Sequence, residues 1–310
     1  MKMPLRSLAA LCLLVSAWAA PAMAYTPAAE QVSGNVYAIV GPTDQRSPEN
    51  DGLNNNLGFI VTDEGVVLID SGASKLGTQK LEAAIAKVTD RPVKWVINIG
   101  SQDHRWLGNA YFAEKGAQII ALARTAQTQE RFADRHMQTL ERFLGERLAG
   151  TEPLPATTRL EGAEAALTLG GVDLVLTYTD AHFPGDAMLW IPAEKTVFTG
   201  DLVYVDRMLS VHDWSDMQKA QAAFEAMEAL APEHVVPGHG HVTDLATARR
   251  DTGDYYDFLV NVVGAAAQEM ESMADVIARH AEHPDFQHLD HFDSLHRANM
   301  NRTYLQFEAM

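Results

Sequence analysis

Short apolar runs separated by turn residues make up the first half of the chain. Leu57–Val61 and Val66–Asp70 are two such runs, and the polar stretch between them ends in glycine, which predicts a β-hairpin. The spacing of leucine, alanine, isoleucine and valine in Lys75–Val88 predicts a helix with one apolar face. The run Val93–Asn98 predicts a buried strand. The same reasoning predicts strands at 35–40 and 118–122, a loop at 99–108, a helix start near Asn109 and a long helix at Thr125–Leu148.

The second half repeats this plan after a connector at Gly150–Thr158 that is rich in proline and threonine. Apolar runs with tight turns predict strands at Ala165–Leu169, Val172–Thr179, Ala187–Ile191, Thr196–Thr199 and Glu233–Val236. Helices are predicted from Ser215 to Leu230, at Asp244–Ala281 and at Asp293–Glu308. Two β-rich halves, each followed by helices, favour two facing sheets with helices outside, an α+β fold.

The N-terminus has the pattern of a secretory signal peptide. Lys2 and Arg6 precede the apolar run Leu8–Ala20, and Ala22–Ala24 offers small residues for cleavage. The apolar run is shorter than the roughly 20 residues that span a bilayer as a helix. We therefore expect residues 1–24 to be removed, and residues 25–310 to form a single domain with a helical C-terminal tail. The expected location is periplasmic or secreted.

Charge and cysteine content narrow the classes of function. The chain has 41 acidic and 24 basic residues and a net charge of −17, which becomes −19 once Lys2 and Arg6 are removed. Such a surface repels nucleic acids and anionic membranes, and no other apolar run is long enough to cross a membrane. The one cysteine, Cys12, lies inside the predicted signal. The mature chain then has neither a disulfide bond nor a thiolate ligand or nucleophile.

Three metal-binding residue types follow strand-like runs. His182 lies in Thr179–Asp186, Asp201 ends the segment Phe198–Asp201, and His239 lies in the segment Pro-Gly-His-Gly at 237–240. Two imidazoles and a carboxylate suit Zn²⁺, and the adjacent glycines let the backbone fold closely around an ion. Because ligands at the ends of different strands can converge, their separation in sequence is no obstacle to a shared site.

These segments resemble those of the metallo-β-lactamase fold superfamily of hydrolases. Leu57–Gly72 is similar to its first hairpin and Asp-x-Gly turn, 182–186 to its His-Thr-Pro-Gly-Asp segment, and 198–201 and 237–240 to its last two ligand motifs. The resemblance implies a four-layer αββα sandwich with the site at one edge of both sheets. It also implies metal ions that share a bridging aspartate, with a hydroxide that attacks an ester, amide, thioester or phosphoester.

One motif departs from the family pattern. Where the family has His-x-His-x-Asp-His, an ungapped alignment places Gly100 and Gln102 on the two leading histidines, His104 on the aspartate and Arg105 on the last histidine. A one-residue slip would instead match Asp103 and His104 to the Asp-His pair, but it requires an insertion before Gly108. We favour the ungapped register.

In that register the resemblance leaves an incomplete ligand set. The first metal position keeps His182 and Asp201, and the second keeps Asp201 and His239, with His104 as a third ligand. We therefore predict at most one zinc ion, held by His104, Asp201 and His239, with His182 as a ligand or proton donor. Arg105 would orient the substrate by holding an anionic group, or would pair with Asp201 in a metal-free form.

Two hypotheses follow. The first is an exported hydrolase in which Asp201, His182 and Arg105 serve catalysis on a small-molecule substrate. The alternative is a non-catalytic binding or accessory protein in which an Arg105–Asp201 salt bridge replaces the metal. Chains of this kind with an export signal resemble proteins of periplasmic quinoprotein dehydrogenase systems. The substrate and the oligomeric state stay open.

Overall fold

Two β-sheets face each other in the computed structural model, which describes residues 24–309. The predicted signal peptide at 1–24, with Cys12, lies outside the described residues except for Ala24. The first sheet has seven strands in sequence order, β1 to β7, and the second has five in the order β12-β11-β10-β9-β8.

The first sheet is antiparallel from β1 to β4 and parallel from β4 to β7. The parallel pairs need crossover connections, which the helices between these strands supply. Its strands are β1 Ala29–Ser33, β2 Val36–Ile39, β3 Leu57–Val61, β4 Val66–Ile69, β5 Val93–Asn98, β6 Gln118–Leu122 and β7 Thr158–Leu160.

The second sheet is antiparallel except for its last pair. Strands β11 and β12 run parallel, so their carboxyl ends lie side by side. The strands are β8 Glu164–Leu169, β9 Val172–Tyr178, β10 Ala187–Ile191, β11 Thr196–Phe198 and β12 His234–Val236.

Alternation along the strands divides the core into layers. In β4, Val67 and Ile69 face the second sheet, where they join Leu189 and other buried residues, whereas Val66 and Leu68 face the helices. All four β4 residues are buried, as expected for a strand covered on both faces. The αββα sandwich predicted from the sequence is therefore confirmed.

Helices cover both outer faces. On the first sheet lie α1 Lys75–Ile85, α2 Asp103–Trp106, α3 Asn109–Glu114 and α4 Ala123–Leu144. The second sheet is covered by α5 Met217–Ala229, α6 Leu245–Ala248, α7 Asp254–Phe258, α8 Ala265–Gln268, α9 Met273–Arg279 and α10 Phe292–Glu308. Among residues 24–309, no helix has both the length and the apolar character needed to cross a membrane.

The structure differs from the sequence prediction at several elements. Strand β1, Ala29–Ser33, was not predicted. Asp103–Trp106 forms a helical turn where a loop was predicted, and Thr158–Leu160 adds an edge strand at the end of the predicted connector. The single helix predicted at Asp244–Ala281 is divided into four α-helical segments, α6 to α9, and two π-helical turns join the first three of them. A Cβ at Gly253 or Gly264 would lie 2.5 to 2.8 Å from a phenylalanine ring of a neighbouring helix, so glycine permits this close packing.

Candidate metal centre

The candidate centre lies where strands of both sheets end. Asp70 directly follows β4, and the segment after β5 carries His104 and Arg105 on α2. In the second sheet, Asp201 lies in a 3₁₀ turn shortly after β11, and His239 follows β12. Because β4 and β5 are parallel, as are β11 and β12, these side chains converge at one edge of the sandwich.

His104, Asp201 and His239 form a group that can hold one metal ion. One ligand atom from each lies within 4.8 Å of the others, and all three residues are buried. The Nε2 atom of His104 lies 3.2 Å from Asp201 Oδ2, and that of His239 lies 3.3 Å from Asp201 Oδ1. Two ligands of a tetrahedral zinc ion, each 2.0–2.1 Å from the metal, would be about 3.3 Å apart. The two spacings between a histidine and Asp201 therefore match those of ligands on one ion.

The second ring nitrogen of His239 fixes its orientation. Nδ1 donates to the backbone carbonyl of Asn54 at 2.8 Å, and burial lowers the pKa of His239 to about 4. The neutral ring then presents the lone pair of Nε2 to Asp201. Tyr204 stacks on the ring with a centroid separation of 4.8 Å. Metal-binding histidines typically have such a partner on the nitrogen that does not bind the metal.

His104 has two partners on Nδ1. Arg46 Nη1 donates to this atom at 2.8 Å, while Asp103 Oδ1 lies 3.3 Å from it. With Arg46 as the donor, a neutral His104 carries its proton on Nε2 and donates to Asp201. In the other tautomer, Nδ1 donates to Asp103 and Nε2 is free to bind a metal. Arg46 and Asp103, which are 3.0 Å apart, therefore determine which nitrogen of His104 carries the proton.

Arg105 occupies the centre as a fully buried cation. Its Nη2 donates to Asp201 Oδ1 at 2.5 Å and its Nη1 to Asp70 Oδ2 at 2.7 Å, and the side chain is 1% exposed. Burial favours the neutral guanidinium, but the two carboxylates hold the pKa of Arg105 above its usual value. The structure thus points Arg105 into the protein, so its predicted role in holding a substrate group stays a prediction.

The two carboxylates respond differently to this cation. Burial would raise the pKa of Asp201, but Arg105 and His104 hold it well below its usual range. Burial raises the pKa of Asp70 to about 6 despite the charge of Arg105. Asp70 also has a backbone φ of 59°, a conformation that non-glycine residues rarely adopt, and its Oδ1 accepts from the backbone N–H of Ile99 at 2.9 Å. Two hydrogen bonds therefore anchor a strained residue beneath the centre.

Gly100 makes room for the arginine. A Cβ at this position would lie 2.1 Å from Cδ of Arg105, which no side chain allows. In the ungapped register Gly100 occupies the place of the first family histidine. A histidine at position 100 and the present placement of Arg105 therefore exclude each other.

His182 lies outside the group of three. Its Nε2 is 3.5 Å from the hydroxyl of Tyr204, and its ring makes an edge contact with His212 at 4.9 Å. Burial lowers the pKa of His182 well below its usual value, so the ring is neutral. Asp186 is buried near it with Oδ1 unpartnered among the described residues, and burial raises its pKa well above the usual range. Neither residue has a contact here that assigns it to catalysis.

Some residues of the centre could not be found from the sequence. Arg46 and Asn54 belong to the polar stretch 41–56, which carries no motif, yet each contacts one of the two histidines. Asp70 belongs to the Asp-x-Gly turn, but its pairing with Arg105 had no signal in the sequence. These partners come from loops distant in sequence, and only the folded edge brings them together.

The residues present fit one ion and not two. Two imidazole nitrogens and one carboxylate, each with a partner that orients it, are the donor set of a catalytic zinc site. In the place of the remaining family ligands stand a glycine, a glutamine and the guanidinium of Arg105. A cation bound between Asp70 and Asp201 opposes a second divalent ion there.

Comparison with known proteins agrees with this architecture. Residues 107–239 match the family model described as the metallo-beta-lactamase superfamily. The DIM-1 metallo-beta-lactamase superposes with a TM-score of 0.57 at 17% identity, over 75% of this chain and 98% of that one. The chain has the metallo-β-lactamase fold. The resemblance inferred from the sequence motifs is thereby confirmed.

Other solved structures of this fold are similar. A metallo-beta-lactamase from Pontibacter korlensis superposes with a TM-score of 0.56 at 18% identity, over 72% of this chain and 95% of that one. A double mutant of the sec-alkyl sulfatase PisA1 superposes with a TM-score of 0.72 at 14% identity, over 91% of this chain and 50% of that one. The search of curated proteins found no match. At these identities the metallo-β-lactamase fold is shared, and substrates do not transfer.

Proposed function

We propose that this protein is a hydrolase with the metallo-β-lactamase fold that uses one divalent metal ion, zinc by its donor chemistry, held by His104, Asp201 and His239. The observation that carries the proposal is the convergence of these three buried ligand atoms within 4.8 Å. When bound, the metal would lower the pKa of a coordinated water and polarise an ester, amide or thioester carbonyl.

The surrounding residues prepare this ligand set. Arg105 keeps Asp201 ionised, because a buried carboxylate beside a cation gives up its proton readily. Asn54 holds His239 in the tautomer whose free nitrogen faces Asp201. Asp103 can hold His104 in the equivalent tautomer by accepting a hydrogen bond from its Nδ1. Tyr204 covers the His239 ring and excludes water from that side.

Metal content tests the proposal. Protein purified without chelator should contain about one equivalent of zinc, and His239→Gln should lose most of it, since three ligands become two. His241→Gln is the matched control, because His241 is exposed and pairs with Asp206, which is outside the candidate ligand group. Less than about a tenth of an equivalent of any transition metal, or equal retention in both variants, would overturn the metal site.

A second candidate is favoured by the position of Arg105. Its guanidinium already neutralises Asp201 and Asp70 in a closed, buried arrangement, as expected if an internal salt bridge had replaced the metal. The protein would then be a binding or accessory protein, of the kind that serves quinoprotein dehydrogenase systems. It would contain no metal when purified, and its unfolding would not respond to zinc or chelator, so the same measurement separates the two candidates.

We further propose that the protein acts after export to the periplasm or the medium on a small-molecule substrate. The charged start, apolar run and small residues of 1–24 support export, and the acidic balance of the chain disfavours nucleic acid as a partner. Fractionation of cells that express the full chain tests this proposal. Mature protein starting at Tyr25 in the periplasm is expected, and full-length protein in the cytoplasm would contradict export.

A further inference from the structure

A cavity of about 270 Å³ lies beside the candidate metal centre. Helix α4 forms one wall through Phe132, Arg135 and His136, the segment that leads into α2 forms another through Gln102, and Trp214 closes the far side. Its volume is close to the lower end of the range for small-molecule sites. We refer to this cavity as the α4 cleft.

Three buried polar atoms of the α4 cleft have no hydrogen-bond partner within residues 24–309. They are Nε of Arg46, Oε1 of Gln102 and Nδ1 of His136, and all three residues line the same cavity. Buried polar groups without partners are costly and uncommon, so each usually has an explanation. The three residues line the cavity, but these particular atoms are buried beneath its surface.

The charge of the α4 cleft is opposite to that of the whole protein. Three arginines line it, and Arg135 forms no ion pair with any residue in the described range 24–309. The two aspartates of the cleft already face the other arginines, Asp103 at 3.0 Å from Arg46 and Asp213 at 3.8 Å from Arg302. In a chain with a net charge of −17, one surplus cation in a cleft attracts a single negative charge.

Aromatic rings form the remaining wall. Phe132 makes edge contacts with Phe183 at 5.2 Å and with Trp214 at 5.3 Å, so the three rings form one continuous surface. Trp214 is 40% exposed, which is unusual for a large apolar side chain. Such a surface suits a flat apolar body.

We propose that the α4 cleft is the substrate-binding part of the active site, and that it selects a small organic monoanion with an aromatic body. The anionic group would pair with Arg135, while the ring would lie against Phe132, Phe183 and Trp214. This assignment rests on the proposed hydrolase function only in naming the ligand a substrate. The cleft itself is defined by the residues that line it.

Arg46 connects the α4 cleft with the metal centre. Its Nη1 contacts both Asp103 and Nδ1 of His104, and the same residue lines the cleft. An anion bound in the cleft beside Arg46 would therefore lie one side chain away from a candidate metal ligand.

Three probes of related shape test the selection. Phenylacetate carries the ring and the charge, phenylacetamide the ring without the charge, and acetate the charge without the ring. Isothermal titration of the full protein should show phenylacetate binding about tenfold or more tightly than either of the others, as expected for a charge-assisted contact combined with ring burial. Equal affinities for phenylacetate and phenylacetamide would overturn the proposal.

Two variants locate the binding. Arg135→Gln should weaken phenylacetate binding at least fivefold and leave phenylacetamide unchanged, since Arg135 is exposed and its removal leaves the core intact. Lys87→Gln is the control, because it removes the same charge from an exposed site in the turn that follows α1. An equal effect of both variants would show a net-charge effect and contradict the assignment.

The metal state separates this proposal from the proposed hydrolase function. Titrations are run on chelator-treated protein and on protein given zinc. Binding of phenylacetate without zinc uptake would support the α4 cleft and contradict the hydrolase. Zinc uptake without selective binding of phenylacetate would support the metal centre and overturn the cleft.

Discussion

At the scale of single residues, Arg105 has the largest consequence for stability. A buried guanidinium is stable only while both carboxylates oppose it, because removal of one partner from a buried ion pair leaves an uncompensated charge. The charge of Arg105 also offsets the repulsion between the buried carboxylates of Asp201 and Asp70.

Arg105→Met should lower the free energy of unfolding by about 3–5 kcal/mol, since Asp70 and Asp201 lose their shared partner. Denaturant unfolding measures this loss. Arg142→Met, on the exposed face of α4, serves as control and should change stability by less than about 0.5 kcal/mol. A change below about 1 kcal/mol in Arg105→Met would contradict the structure.

Gly100→Ala should destabilise the protein by about 1–3 kcal/mol, because the new Cβ would lie against Cδ of Arg105. In the background of Arg105→Met the unbranched chain can move, so the added loss should be smaller. A double-mutant cycle measures this coupling, which should exceed about 0.5 kcal/mol. Additive effects would show that the two positions do not interact.

The candidate ligands could be identified from the sequence, but their hydrogen-bond partners could not. His104, Asp201 and His239 were proposed from motifs, and the structure brings them together. Arg46 and Asn54 lie in a loop whose composition indicates only that it is polar. Hydrogen bonds between distant loops depend on the folded path of the chain, which no local pattern encodes.

At the scale of elements, the strands followed their hydrophobic pattern closely. The predicted strand Val93–Asn98 has the same bounds in the structure, because a buried parallel strand needs an unbroken apolar run. The region after Asp244 differs from the single helix that was predicted, because helical periodicity in the sequence does not show where glycines allow π-helical turns. Elements set by burial were thus predictable, and interruptions set by close packing were not.

Helix α4 carries a titratable group that should make stability depend on pH. Burial lowers the pKa of His136 to about 4, against 6.5 when exposed. Below pH 6.5 His136 is protonated in the unfolded chain but stays neutral in the folded protein. The free energy of unfolding should therefore fall between pH 6.5 and about 4. Above pH 6.5 this group has no effect.

His136→Gln should reduce the loss of stability between pH 6.5 and 4 relative to the unsubstituted protein, since the titrating group is gone. Unfolding free energies at several pH values give the slope for each protein. Arg142→Gln, at an exposed position of the same helix, is the control and should leave the slope unchanged, because arginine does not titrate in this range. An unchanged slope in His136→Gln would contradict the assignment to His136.

At the scale of the whole molecule, the candidate metal centre joins the two sheets. His104 is carried by the edge of the first sheet, while Asp201 and His239 are carried by the second. An ion bound by all three would connect the layers at one end of the sandwich. A ligand that binds only the folded state stabilises it by mass action.

Zinc at about 100 times its dissociation constant should therefore raise the unfolding free energy by about 2.7 kcal/mol, and chelator should reverse the gain. Thermal unfolding with and without zinc measures the effect. His239→Gln should show little of it, because the link to the second sheet loses one ligand. A melting temperature that zinc leaves unchanged would favour the metal-free candidate.

The fit between Gly100 and Arg105 also limits how this site can change by mutation. A histidine at position 100 cannot be accommodated while Arg105 is present, and removal of Arg105 first leaves Asp70 and Asp201 facing each other without a cation. Each single step is therefore costly, although the two together need not be. Gly100 and Arg105 therefore constrain one another, and a substitution at either position alone should destabilise the protein.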